Sequence, residues 1–144
     1  MTAEYAGDVS PSDAMSMLQN ERDAVLVDVR SKPEWQFVGV PDLSALGKDA
    51  LLIEWQTYPT MQRNVDFARA LKAELAGNAV PDDAPLLFLC RSGARSQAAA
   101  AAMAATGHSR CYNFTGGFEG PPDGEHHRGQ VAGWKALRLP WAQN

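Results

Sequence analysis

Hydrophobic positions along the chain follow two alternating periods. Ala24-Val25-Leu26-Val27-Asp28-Val29 is a short, nearly unbroken apolar run rich in valine. Such a run predicts a strand covered on both faces, with Asp28 as its one anomaly. Leu51-Leu52-Ile53-Glu54-Trp55 and Pro85-Leu86-Leu87-Phe88-Leu89 have the same character and predict further buried strands of a largely parallel sheet. Between them, Val65, Phe67, Ala68, Leu71 and Leu75 recur at helical spacing ahead of Gly77, which predicts a covering helix ended by glycine. Ser10-Pro11-Ser12-Asp13 carries the marks of a helix start: Ser10 as N-cap, Pro11 at the first helical position and an acidic first turn. That helix is expected to run to about Asn20. Arg95 through Thr106 is rich in alanine, the strongest helix former, and stops at Gly107. Alternation of the two periods predicts an α/β fold, an open and mostly parallel sheet with helices on both faces.

Composition narrows the picture. A chain of 144 residues with 45% hydrophobic and 21% charged residues is expected to form one globular domain, residues 1–144, with a core that needs no disulfide frame. The formal net charge of -4 argues against a general nucleic-acid binder, so no nucleic-acid partner is expected. Met1-Thr2-Ala3-Glu4-Tyr5 has no basic and apolar leader, and no apolar run approaches the roughly 20 residues that span a bilayer. The expectation is a cytoplasmic protein without membrane partners. Its two cysteines, Cys90 and Cys111, then read as a thiol and a bystander rather than a bridge.

Cys90 stands where the predicted pattern passes from a strand's carboxyl end to a helix's amino end. Open α/β sheets bind ligands outside the carboxyl ends of their strands, and a helix N-terminus offers unpaired N–H groups with a partial positive charge. A thiolate is an anion suited to that place, and nearby arginines favour it further. A strand-end cysteine is most often only a small buried hydrophobe. Cys90-Arg91-Ser92-Gly93-Ala94-Arg95 sets two arginines and a glycine beside it, an electropositive nest that core packing does not require. Gly93 adopts positive φ without penalty, and small Ser92 and Ala94 let the backbone curl around the sulfur.

The loop Cys90-Arg91-Ser92-Gly93-Ala94-Arg95-Ser96 resembles the Cys-Arg-Ser-Gly-x-Arg-Ser pattern of the rhodanese family of single-domain sulfurtransferases. Leu26-Val27-Asp28-Val29-Arg30 is similar to that family's other hallmark, as are Asn113-Phe114-Thr115-Gly116-Gly117, Gly133-Trp134-Lys135-Ala136 and Leu139-Pro140-Trp141. The resemblance implies a double displacement. Cys90 takes sulfur as a persulfide from a small anionic donor such as thiosulfate and passes it to cyanide, a thiol or an acceptor protein. It also implies that Arg91, Ser92, Gly93, Ala94 and Arg95 bind substrate, that Asp28, Arg30 and Ser96 support the loop, and that no metal or organic cofactor takes part. Physically this is covalent catalysis, with loop N–H groups holding the terminal sulfur and Arg91 attracting the donor's charge.

Two other classes fit parts of the pattern. Cysteine phosphatases and arsenate reductases also run from a loop cysteine to an arginine, with five residues between, whereas four separate Cys90 from Arg95. A non-catalytic persulfide carrier or binding module is the third class. Arg95 and Asp28 are expected to form a charge-assisted pair that fixes the loop, with Arg30 and Glu34 extending it. Val38-Gly39-Val40-Pro41-Asp42-Leu43 lacks a histidine common in the family at that stretch. Trp35 and Phe37 are expected in the core, while Trp55, Tyr58 and Pro59 line the mouth of the site or anchor its loop. Adjacent His126 and His127 are poorly spaced for joint chelation, so Asp123–Arg128 reads as a solvated loop. Lone His108 has no assigned role, and Cys111 is expected to be buried.

Overall fold

A computed structural model describes residues 5–143. In chain order its elements are β1 (Gly7–Val9), α1 (Pro11–Asn20), β2 (Val25–Asp28), α2 (Lys32–Val38), β3 (Val40–Pro41), a 3-10 turn (Ser44–Leu46), β4 (Leu51–Leu52), β5 (Gln56–Thr57), β6 (Gln62–Arg63), α3 (Phe67–Gly77), β7 (Leu86–Leu89), α4 (Ala94–Ala104), β8 (Cys111–Phe114) and β9 (Trp141–Ala142). Five strands form the main sheet in the order β1-β8-β7-β2-β4, every pairing parallel. The expected α/β fold with helices on both faces is the observed one.

Strand alternation sorts the core into two layers. Leu86, Phe88 and Cys90, with Val27, Val29 and Cys111, face α3 and α4 and pack on Phe67, Leu71, Leu75, Ala99, Ala100 and Met103. Leu87 and Leu89, with Leu26 and Phe114, face the other way, toward Ala14 and Leu18 of α1 and toward Phe118 and Trp134. A residue's parity along a strand therefore decides which layer it joins, and this parity governs the site.

Helix α1 begins as the residues predict: the Ser10 side chain accepts from the Asp13 N–H at 3.1 Å, and Pro11 follows. Helix α3 starts two residues later than the periodicity suggests, with Asp66 at the N-cap position, and Val65 stands outside at 89% exposure. Its Gly77 lies in the last turn, with Asn78 beyond it. The run from Leu51 to Trp55 pairs as a strand only at Leu51–Leu52, although Ile53 and Trp55 still donate to the carbonyls of Asp28 and Val29 at 3.1 Å. Trp55 turns into the core and meets Phe67 edge-on at 5.1 Å between ring centres. Phe37 corrects another expectation. Helix α2 fully buries none of its residues, and Phe37 stays 70% exposed. No helix among the described residues is long and apolar enough to cross a membrane.

Candidate active site

Because all five core strands run the same way, the connections after β2, β4, β7 and β8 gather at one edge of the sheet. Cys90 follows β7 directly, in the middle of that edge. Its neighbours Gly93, φ 132°, and Ala94 start α4, so the chain reverses around the sulfur. Cys90 is 1% exposed. The Gly93 N–H donates to Sγ at 3.0 Å, and Ser96 Oγ lies 3.2 Å from it. Gln97 N–H is the first in α4 to find a helical carbonyl, that of Gly93. The N–H groups of Ala94, Arg95 and Ser96 precede it and point out of the helix's amino end, toward the loop that Cys90 begins.

The loop's outer face is held by the turn after β8. Phe118 N–H donates to the Cys90 carbonyl at 2.7 Å, and Glu119 and Gly120 N–H both donate to the Arg91 carbonyl, at 3.1 and 2.9 Å. Gly117, φ +66°, makes this closeness possible, since a Cβ there would lie 2.6 Å from the Cys90 carbonyl oxygen. Arg91, Ser92 and Ala94 are exposed around the sulfur, and Gly93 and Ser96 are buried beneath it. The loop of the sequence motif is thus brought together as expected.

Asp28 and Arg95 do not pair. Asp28 sits opposite Leu89 in the β2–β7 register, and its parity sends its side chain to the layer of Phe118 and Trp134, away from Cys90 and α4. There it is fully buried with Arg30: Nη2 reaches Oδ2 at 2.6 Å, Nε reaches Oδ1 at 2.9 Å and Oδ2 at 3.2 Å, and the Arg30 backbone N–H also donates to Oδ1 at 3.1 Å. Arg30 Nη2 also donates to the Gly39 carbonyl at 2.7 Å, and its guanidinium stacks 4.0 Å from the centre of the Phe118 ring. Arg30, held by Asp28, thus packs against Phe118, whose backbone N–H donates to the Cys90 carbonyl.

Glu34 is the partner of Arg95. Arg95 Nη1 donates to Oε1 at 2.6 Å and Nη2 to Oε2 at 3.0 Å, a parallel two-bond pair largely shielded from solvent. Oε1 also accepts from the Ser31 N–H and hydroxyl at 3.1 and 2.9 Å. Burial pushes the Glu34 carboxyl up, but Arg95 and Ser31 outweigh it and hold the group at about 2. Ser31-x-x-Glu34 has the spacing of a helix-capping pair, a signal that places Glu34 in the first turn of a helix.

Asn113, legible in the sequence only as the start of the Asn113-Phe114-Thr115-Gly116-Gly117 turn, joins the site as well. It sits on β8 in the same layer as Cys90, 2% exposed, and its Oδ1 accepts from Ser96 Oγ at 2.5 Å. The aromatic residues of the β4–β6 connection divide: Trp55 anchors, while Tyr58 is exposed. His126 and His127 are exposed in the 123–128 turn, as expected. Cys111 is buried, and burial pushes its thiol up to about 12.

The Rhodanese-like domain family matches residues 10–120. An uncharacterized protein of Rickettsia rickettsii is 36% identical over 133 residues, spanning 92% of this chain and 94% of its own. A thiosulfate sulfurtransferase GlpE of Pseudomonas savastanoi pv. phaseolicola is 32% identical over 111 residues, 77% of this chain and 82% of its own. The crystal structure of Rv0390 from M. tuberculosis matches with a TM-score of 0.87 at 45% identity, covering 98% of this chain and all 100% of that one.

Proposed function

The chain belongs to the rhodanese-like domain family, and from that premise we propose that it is a sulfurtransferase whose nucleophile is Cys90. The observation that carries the reading is the setting of the sulfur: Cys90 Sγ accepts from Gly93 N–H at the amino end of α4, within a loop flanked by Arg91 and Arg95. Positive charge and N–H donors converge where a thiolate forms and where the outer sulfur of a persulfide would lie.

In the reaction, the Cys90 thiolate attacks the outer sulfur of an anionic donor such as thiosulfate. A new S–S bond forms on Cys90, the donor's own S–S bond breaks, and sulfite leaves with the bonding pair. A nucleophilic acceptor, cyanide or a thiol, then attacks the outer sulfur and returns the thiolate. Arg91, exposed beside the sulfur, draws the anionic donor, while Arg95 is engaged by Glu34 and holds the loop's shape. Ser92, Gly93 and Ala94 contribute backbone and little bulk. The spacing of four residues from Cys90 to Arg95 leaves a smaller ring than a tetrahedral phosphate requires, which weighs against phosphatase chemistry.

The test is intact mass before and after thiosulfate, together with thiocyanate production from thiosulfate and cyanide, on the wild type and Cys90→Ser. The expected result is a gain of one sulfur atom and turnover, both lost in Cys90→Ser. A gain without turnover would favour the carrier reading, and no gain would overturn the proposal.

A further inference from the structure

Cys90 Sγ makes two polar contacts of different kinds. From Gly93 it receives an N–H; with Ser96 Oγ, at 3.2 Å, either atom can be the donor. The direction of that second bond depends on what else Ser96 touches. Its single hydroxyl proton has two other acceptors in reach, Asn113 Oδ1 at 2.5 Å and the Gly93 carbonyl at 3.0 Å. Asn113 in turn donates from Nδ2 to Asp8 Oδ1 at 3.1 Å, the two residues being register partners of the β1–β8 pairing. Tyr5 donates its hydroxyl to the same oxygen at 2.7 Å. An ionised carboxylate only accepts, so Asp8 holds the Asn113 amide with its nitrogen outward and its oxygen toward Ser96.

We infer that Asn113, oriented by Asp8, is a positioning residue that draws the Ser96 hydroxyl proton away from Cys90, so that the resting thiol donates to Ser96 and is held back as a nucleophile. This rests on the reading of Cys90 as the reacting atom. A thiolate would face the lone pairs of Ser96 unless the hydroxyl turned back toward sulfur, and that turn strips the buried Asn113 oxygen of its donor. Rotating the amide end for end would relieve the conflict, but it would set Asn113 Oδ1 against the Asp8 carboxylate. The amide passes on an orientation rather than a proton. The brake therefore opposes the activating pull of Gly93 and the amino end of α4, and a change at Asp8, on the outer edge of the sheet, reaches the sulfur.

Other charges near Cys90 are Arg91 and Arg95 on its own loop and helix, Glu34 of α2 behind Arg95, and the Asp28–Arg30 pair of the opposite layer. None of them touches the Ser96–Asn113–Asp8 chain in the described hydrogen bonds, so changes at Asp8 leave their contacts in place.

The test is the rate of iodoacetamide alkylation at Cys90, followed by peptide mass from pH 5 to 10, on the wild type, Asp8→Asn, Ser96→Ala and the double variant. Asp8→Asn should react faster at neutral pH by roughly five-fold, the scale of one redirected hydrogen bond. That gain should vanish when Ser96 is alanine. It should also survive 1 M salt, because a direct field from an exposed carboxylate is screened there and a hydrogen-bond chain is not. An unchanged rate in Asp8→Asn, a gain that persists without Ser96, or a gain abolished by salt would each overturn the inference. Alkylation reads the thiol without any sulfur donor, so a failure of sulfur transfer would sink the proposed function and leave this result standing.

Discussion

Arg95 grips Glu34 with two parallel N–H···O bonds, 2.6 and 3.0 Å long, and so ties the first turn of α4 to the first turn of α2. The connection after β7 and the connection after β2 are thereby locked together beside the loop that Cys90 begins. A half-buried pair of this geometry ranks between the fractions of a kcal/mol of exposed pairs and the several of buried ones. Glu34→Gln is expected to lower stability by about 2 kcal/mol and to reduce sulfur transfer, measured by urea unfolding and thiocyanate formation. Arg95→Lys should behave similarly, since an ammonium cannot supply the paired fork.

The same pair sets an acid limit. Glu34 is held at about 2 in the folded chain against an ordinary 4.5, so folding favours its charged form. Its contribution is whole above about pH 4.5 and is lost as the pH falls toward about 2. Stability measured across that window should decline with a component that Glu34→Gln lacks; parallel curves for the two proteins would contradict the assignment.

Asp28→Ala acts on the other layer. It leaves the Arg30 guanidinium fully buried without its counter-ion, and removing one member of a buried pair typically costs about 3–5 kcal/mol. Replacing both, as Asp28→Leu with Arg30→Met, should be milder than Asp28→Ala alone. Thermal unfolding of the three variants tests this. Equal losses for the single and double changes would mean that the pair is not what the layer depends on.

Strand and helix positions were readable because each rests on a local signal: the apolar runs at 24–29 and 85–89, the Ser10-Pro11 start, the alanines before Gly107. The cysteine loop was readable too, since a strand end joined to a helix start places its residues without any distant contact. Partner choice was not. Asp28 and Arg95 both carry charge near one edge, and only strand parity, which puts Asp28 in the layer of Leu89 and Cys90 in the layer of Phe88, separates them. Glu34 left a trace in the Ser31-x-x-Glu34 spacing, whereas Asn113 was legible only as the start of the Asn113–Gly117 turn and its hydrogen bonds were not, because they come from a register between β1 and β8 that joins residues 105 positions apart.

Gly117 tests the wall of the site. Its φ of +66° and the nearness of the Cys90 carbonyl leave no room for a side chain. Gly117→Ala must push the turn away from the loop, which loosens the bonds from Phe118, Glu119 and Gly120. Sulfur transfer is expected to fall about ten-fold or more while the chain stays folded, a displacement of the loop of the kind that far smaller misplacements already make costly. Wild-type turnover in a folded Gly117→Ala would show that the turn does not position the sulfur.

Cys111 is the second thiol, and its place argues against any share in the chemistry. It pairs in register with Leu86, four residues before Cys90 along β7, so about 13 Å of strand separates the two positions. A disulfide needs Cα atoms within roughly 7 Å. Burial also pushes the Cys111 thiol up to about 12, which leaves almost no thiolate at neutral pH to attack a persulfide. Cys111→Ala should therefore take up one sulfur atom from thiosulfate and turn over as the wild type does. Wild-type protein treated with a mild thiol oxidant should show no internal bridge by peptide mapping, and a Cys90–Cys111 disulfide found there would require β7 and β8 to slide out of their register.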